Sequence, residues 1–366
     1  MKPTRKKYLQ YLNPLELLQT KKVLKSNPTL LTEDKDKGES IISLYQYDNE
    51  HVICKQPIKP EEISISVFQE SKLYWLNLDT LNTKSVETIC TNIGIHPLII
   101  EDILSVHQRP KVDEFEEYFT CVLQMLYFID DKNTIENEQV SFVMGKNFLV
   151  SFQDDAHRDL FDPIRERLKV PATKMRLQGS DYLLYAMLDS IVDHYFVVLE
   201  KLGEQIEKLE EEITKSQEDD YTMNRINNLR KELIFFKRNT GPVRELIGNI
   251  LRSDNVYFQQ RNEKYFKDIY DHSIQIIELT ENYRDVLTNI RDLYLSQTNL
   301  KLNEIMKFLA IVTTLLAPAT VIGGIFGMNF DRIPYLHDQN GFWIATVFMI
   351  AVPLLMLYYF RRRNWF

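Results

Sequence analysis

"KFLAIVTTLLAPATVIGGIFGMNF", residues 307–330, decides how this chain is organised. Between Lys307 and Asp331 lie 23 uncharged residues, and between Asp338 and Arg361 a second run, Gln339–Phe360, holds 22 more. A helix needs about 20 apolar residues to cross the hydrocarbon core of a bilayer, so both runs predict transmembrane helices. The second run carries interface markers at both ends. Phe342 and Trp343 open it; Tyr358, Tyr359 and Trp365 close it, with Arg361, Arg362 and Arg363 among them. Basic residues are retained on the cytoplasmic side of a span, which predicts a cytoplasmic C-terminus. Two spans make a hairpin, so the long N-terminal body is expected in the cytoplasm as well. The connector "DRIPYLHD" (331–338), of net charge −1, is then a short outer loop.

Upstream of the first run the chain is unusually free of helix breakers. Gly248 is the last Gly or Pro before Pro318, which leaves residues 249–317 as 69 in a row without either. At 1.5 Å per residue a continuous helix of that length runs about 100 Å. A stalk continuous with the first span is the expectation. Before it, Leu199, Leu202, Ile206, Leu209 and Ile213 step by 3 and 4, a coiled-coil-like seam. "KSQEDDYTMN" turns the chain, and Ile226, Leu229, Leu233 and Phe236 predict a return helix. "NTGP" at 239–242 predicts its stop.

Residues 40–170 are mixed. "ISLYQYD", "ISISVFQ", "KLYWLNLD" and "YFTCVLQMLYFI" have strand composition, and "QVSFVMGKNFLVSFQ" predicts a hairpin turning at Gly145–Asn147. "TKSVETICTNIGI" and "HPLIIEDILSV" predict short helices. The expected organisation is a tail (1–40), a cytoplasmic α/β domain (41–180), a helical hairpin (181–245), a stalk helix (246–307), a first span (308–330), an outer loop (331–338), a second span (339–360) and a basic tail (361–366).

Charge and motifs narrow the function classes. The net charge of −8 divides into +3 over residues 301–366 and −11 over the first 300. An acidic body lacks the basic face that nucleic-acid binding needs. Cys54, Cys90 and Cys121 are scattered without a CxxC pair, which fits a reducing compartment. The basic start "MKPTRKKYLQYLNP" has no apolar run after it, so no cleavable signal is expected. There is no phosphate-cradling Gly loop, HExxH or GxSxG. His107 and His157 have acids nearby but no nucleophile at informative spacing. Two spans without a catalytic constellation leave transport, reception or scaffolding.

Positions 303, 306, 310, 313, 317, 320, 324 and 327 step by 3 or 4 and share one helix face. They are Asn303, Met306, Ala310, Thr313, Ala317, Thr320, Gly324 and Gly327. Small residues on one face suit close helix packing in lipid. Small residues with hydroxyls equally suit the lining of a narrow wet pore. The stripe alone leaves both open, and a pore of two-span chains requires a ring of copies. Asn329, at the outer end, would then present neutral carbonyl oxygens to a hydrated ion. Mg2+ is small and dehydrates reluctantly, so such a ring binds its water shell without stripping it.

With "GMN" (Gly327, Met328, Asn329) closing the first of two C-terminal spans, the chain resembles the CorA family of magnesium-transport proteins. "HPLIIEDILSVHQRPK", "FDPIRERL", "DYLLYAMLDSIVDHYF" and "YFKDIYDHSIQI" also look like family blocks, over roughly residues 70–366. The resemblance implies an α/β N-terminal cytoplasmic domain, an αβα sandwich. A long helical stalk and two transmembrane helices follow it in a funnel-shaped homopentamer in the cell (inner) membrane, with both termini cytoplasmic. It implies a Mg2+ channel, with Co2+ and Ni2+ as further cargo. Gly327, Met328 and Asn329 would form the selectivity filter. Asn303, Met306, Leu309, Thr313, Ala317, Thr320 and Gly324 would line the pore, and Met306 and Leu309 would form its apolar constriction. Leu309 conflicts with the stripe, which selects Ala310. The resemblance further implies regulatory Mg2+ between cytoplasmic domains, held by Asp102 and Asp268 with Glu101 and Asp189 in support; Asp193 and Asp271 are nearby alternatives. Relatives often carry Glu in a "MPE" stretch after GMN. Here "IPY" places Tyr335 there, leaving Asp331 and Asp338 as the outer-loop acids. A Zn2+ transporter on the same scaffold and a two-span sensor without transport are the competing readings.

Overall fold

The computed structural model of the chain describes residues 40–69, 71–105, 108–155, 158–215, 221–253, 256–328, 333–334 and 339–363. The chain divides into two units, Met1–Leu199 with Phe235–Glu278, and Glu200–Ile234 with Leu279–Phe366.

In the first unit a seven-stranded sheet runs in the order β2-β1-β3-β7-β6-β5-β4. The strands are β1 (Ile41–Tyr47), β2 (Val52–Lys55), β3 (Leu73–Asp79), β4 (Lys111–Glu114), β5 (Phe119–Ile129), β6 (Thr134–Met144) and β7 (Phe148–Gln153). Among the described residues only β3 and β7 pair in parallel; β6 and β7 form the expected hairpin. Its turn closes with Gly145 N donating to Phe148 O at 2.9 Å. A Cβ at Gly145 would strike the Phe148 ring, so the turn needs glycine.

The interior strand β3 is buried on both faces, from Tyr74 to Asp79. On one face Tyr74, Leu76 and Leu78, with Val150 and Phe152 of β7, pack against Val86, Ile89 and Cys90 of α1 (Thr83–Ile93) and Ile99 and Ile103 of α2 (Pro97–Leu104). On the other, Trp75 stacks on Tyr45 at 4.8 Å and donates to Ser151 Oγ at 2.9 Å. Arg165 of α3 (Asp162–Lys169) lies 5.2 Å above the Trp75 ring. The short α4 (Lys174–Leu177) leads to α5 (Ser180–Thr214). Tyr195 of α5 donates to Gln124 O of β5 at 2.5 Å. Helices on both sheet faces make this the expected αβα sandwich.

Two further helices follow, α6 (Thr222–Arg252) and α7 (Glu263–Phe326), and then α8 (Gly341–Arg362). Several expectations fail, each for a physical reason. "ISISVFQ" is not a strand; Ile65–Val67 form a 3-10 turn. Ile63 and Phe68 are buried while Ile65 is 53% exposed, so the alternation in the sequence is not used. "NTGP" does not stop a helix, because α6 runs through Gly241 and Pro242. Ile226, Leu229, Leu233, Phe236, Thr240, Val243, Ile247 and Ile250, stepping by 3 and 4, are all buried. A proline inside a helix costs about 3 kcal/mol, and burial of each large apolar side chain returns about 1.5–3 kcal/mol. The stripe outweighs the breaker.

The break comes instead between Arg252 and Glu263, where there is no Gly or Pro. The stalk therefore begins at Glu263 and not at 246. Asp181, fully buried, accepts from Gln259 N at 2.9 Å and from Asn262 Nδ2 at 2.9 Å. Those bonds anchor the 3-10 turn Gln260–Asn262 that leads into α7.

Glu138 of β6 is 8% exposed and accepts from the backbone N–H groups of Asp154 and Asp155 at 2.7 and 2.8 Å. Burial pushes its carboxyl up from 4.5 to about 7. The folded chain then keeps a proton that the unfolded chain loses, so stability is full below about pH 4.5 and falls as pH rises to about 7. At 1.36 kcal/mol per pH unit the loss is roughly 3 kcal/mol. Glu138→Gln is expected to raise the apparent melting midpoint in detergent at pH 8 and to leave it nearly unchanged at pH 4.5. A pH-independent difference would contradict this.

In the second unit, Ile206, Leu209 and Ile213 of α5 are buried, as are Ile226, Leu229 and Leu233 of α6. The expected seam is real, and Arg225 pairs with Glu212 across its end. Among the described residues, three helices are long and apolar enough to cross a membrane: α5, α7 and α8. The apolar window of α5 is 56% buried, against 6% for those of α7 and α8. Tyr195 and its neighbours seat α5 in the protein interior, whereas the apolar windows of α7 and α8 are left largely uncovered.

Candidate ion pathway and metal sites

Each of the two apolar helices has one face less exposed than the rest. On α7 buried Ile311 and partly buried Val312, Leu315, Ala319, Ile322 and Phe326 share a side. On α8 Ala345, Met349, Val352, Pro353 and Met356 do the same. A Cβ at Gly323 would meet Met349 Cε at 3.7 Å, which places Gly323 against α8. On the remaining surface of α7, Asn303, Met306, Ala310, Thr313, Ala317, Thr320, Gly324 and Gly327 are all exposed in the single chain. Nothing lies within 4 Å of a Cβ built on Gly324. Leu309 and Ala310 are both exposed, so burial does not choose between them.

The hydroxyls on this face have a fixed use for their protons. Thr313 Oγ1 donates to Leu309 O at 2.9 Å, and Thr320 Oγ1 donates to Leu316 O at 3.0 Å. A hydroxyl that donates back along its helix keeps its oxygen lone pairs as acceptors. Such a face presents oxygen to whatever passes it.

The helix ends at Phe326, yet Gly327 N still donates to Gly323 O at 2.9 Å. Its φ is not left-handed. The backbone completes its last helical bond there and leaves the helix at Gly327–Met328. Asn329, Asp331, Tyr335 and Asp338 lie outside the described residues, as do His107 and His157.

The predicted regulatory acids separate into two groups. Asp189 and Asp193 of α5 meet His272 of α7, each offering a ligand atom within 4.8 Å of the others. His272 Nδ1 lies 3.8 Å from Asp193 Oδ1 and is buried without a hydrogen-bond partner. Tyr185 OH donates to Asp189 Oδ2 at 3.3 Å. Burial, and then the neighbouring charge of Asp193, holds the Asp189 carboxyl above its ordinary value; Asp268 adds to the effect. Exposed Asp268 thus faces this cluster, while Asp271 is exposed on the same helix. The orphaned imidazole nitrogen and paired carboxylates fit a small divalent cation. Oxygen donors suit Mg2+, whereas an imidazole suits Co2+, Ni2+ or Zn2+.

Asp102 does not join this cluster. It sits on the last turn of α2, bound by Lys111 Nζ at 2.5 Å, with Glu101 exposed beside it. Within one chain it joins no three-ligand group among the described residues. Sequence reasoning missed His272 and Lys111. His272 was legible: Asp268–His272 and Asp189–Asp193 are both four apart, which places each pair on one helix face.

Known proteins share this fold. The profile of the family described as "CorA-like Mg2+ transporter protein" matches residues 70–362. The "Cobalt/magnesium transport protein CorA" of Thermotoga maritima is 38% identical over 304 residues, covering 82% of this chain and 86% of its own. The complete structure of the CorA magnesium transporter from Methanocaldococcus jannaschii matches with a TM-score of 0.75 at 26% identity, over 90% of this chain and 99% of that one. The ZntB cytoplasmic domain from Vibrio parahaemolyticus shares the fold over 72% of this chain and 99% of its own, with a TM-score of 0.55 at 14% identity.

Proposed function

The chain belongs to the CorA-like Mg2+ transporter family, a family of membrane ion transporters and not of enzymes, and on that footing we propose that it is a channel for Mg2+ influx. The ion moves down its electrochemical gradient through a ring of copies, a homopentamer, in the cell membrane with both termini cytoplasmic. An inside-negative potential drives it: each charge gains about 2.3 kcal/mol per 100 mV, and Mg2+ carries two.

One observation carries this reading. The stripe from Asn303 to Gly327 is exposed while the opposite face of α7 packs on α8. Copies arranged with their stripes inward enclose a path of small residues and Thr oxygens that hydrogen-bonds an ion's water shell. Met306 and Leu309, 64% and 60% exposed, then form an apolar ring that closes by losing its water. Thiol labelling tests the lining. With Cys54 replaced by Ser, Thr313→Cys, Ala317→Cys and Thr320→Cys are expected to lose uptake on treatment with a water-soluble thiol reagent. Leu316→Cys and Val321→Cys are expected to be spared. Equal labelling of both sets would overturn the assignment.

Regulation follows from the acids. Mg2+ bound at Asp102 and at the Asp189–Asp193–Asp268 group links neighbouring cytoplasmic domains and favours the closed pore; its loss leaves facing carboxylates that repel. Asp102→Ala and Asp268→Ala are each expected to keep uptake running at internal Mg2+ that shuts the parent protein. Normal shut-off in both variants would refute the sensor. His272 favours a second reading in which a softer ion, Zn2+ or Co2+, is sensed or carried, and uptake competition among Mg2+, Co2+, Ni2+ and Zn2+ separates the two.

A further inference from the structure

Asp102 already has a cation. Lys111 Nζ stands 2.5 Å from Asp102 Oδ2 and 3.5 Å from Asp113 Oδ2. Both ends of the pair are fixed to the sheet. Lys111 opens β4, which is laddered to β5 with Lys111 opposite Val122. The end of α2 is held by Gln139 of β6, whose Nε2 donates to Asp102 O at 2.9 Å and whose Oε1 accepts from Gln108 N at 3.0 Å. Gln124 Nε2 fixes the next carbonyl along, Gln108 O, at 2.9 Å. The Asp102 side chain is 18% exposed and that of Lys111 36% exposed, so this pair is screened less than an open surface bridge.

We propose that Lys111 is a tethered competitor for the regulatory divalent ion, and that it sets the internal concentration at which the channel shuts. This rests on the reading of Asp102 as a metal ligand given above. A carboxylate oxygen held by an ammonium group at this distance cannot accept a divalent ion until the ammonium moves. Asp113 supplies the second seat. When the divalent ion arrives, Lys111 moves from Asp102 to Asp113, so its ammonium keeps a carboxylate partner in either state. When the ion departs, Lys111 returns and neutralises Asp102. The exchange lowers the affinity of the site for the ion and softens the repulsion that the metal-free carboxylate exerts.

The test reads ion binding without flux. The melting midpoint of the full-length protein in detergent is followed as Mg2+ is titrated. Lys111→Met is expected to reach half its Mg2+-induced shift at a concentration at least fivefold lower than the parent. Lys111→Arg, which keeps the charge, is expected to stay within about twofold. Asp113→Asn, which removes the second seat, is expected to need more Mg2+. Asp102→Asn separates the two levels of the argument. If it leaves the titration unchanged, Asp102 is not a ligand and the regulatory reading fails. If it weakens the response while Lys111→Met leaves the half-point unchanged or raises it, the competitor role alone is overturned. Should Lys111→Met not fold, an unchanged half-point in Asp113→Asn overturns it instead.

Discussion

Asn329→Ala is expected to cut Mg2+ uptake at least tenfold without preventing assembly. In the sequence the residue stands two positions after Gly327, the last member of the stripe. Every copy in a ring contributes one amide, so one substitution removes all of them. A hydrogen bond to a charged group contributes about 1.5–3 kcal/mol, and 1.4 kcal/mol corresponds to a factor of ten. Even one bond's worth of lost ion binding meets the expected figure. Uptake equal to the parent, measured with the same amount of assembled protein, would remove Asn329 from the ion path.

The second large effect concerns closure. Replacing Met306 and Leu309 together with serine is expected to leave uptake running at internal Mg2+ that shuts the parent. An apolar constriction excludes ions by expelling water, and hydroxyls keep it wet. Met306→Leu preserves the apolar ring and is expected to close normally. Both residues are highly exposed on a single chain, so the double substitution does not empty a folded core. Normal closure of the serine variant would move the gate elsewhere on α7.

The sequence reveals much of this because membrane constraints are severe. A charge-free run long enough to cross a bilayer has few alternatives, and α8 (Gly341–Arg362) covers most of the second such run. The strands β3, β5, β6 and β7 also stand out, since each carries a dense apolar run. The edge strands β2 and β4 do not: each has four residues and little buried apolar surface. The misplaced start of the stalk has a different cause. Gly241-Pro242 is a strong local signal, but the buried stripe from Ile226 to Ile250 overrides it, and the real break depends on Asp181, some 80 positions from its partners in sequence. Tertiary hydrogen bonds of that kind leave no local mark.

The site divides the same way. The stripe on α7 needs only helical periodicity. The meeting of Asp189 and Asp193 with His272 needs two helices to be brought together, although the spacing of four on each helix marks their faces. Lys111 had no signal at all, because its importance comes from the fold bringing β4 beside the end of α2. Among the described residues neither Asp102 nor Asp268 belongs to a group of three candidate metal ligands within one chain.

Ion-resolved flux into liposomes tests the central claim most directly. The reconstituted full-length protein is supplied with external Mg2+ under an inside-negative potential while internal Mg2+ is varied. The account predicts Mg2+ entry at low internal Mg2+, faster entry as the potential grows, and shut-off as internal Mg2+ rises. No divalent flux at any internal Mg2+ concentration or potential would contradict it and favour a two-span sensor that carries no ions.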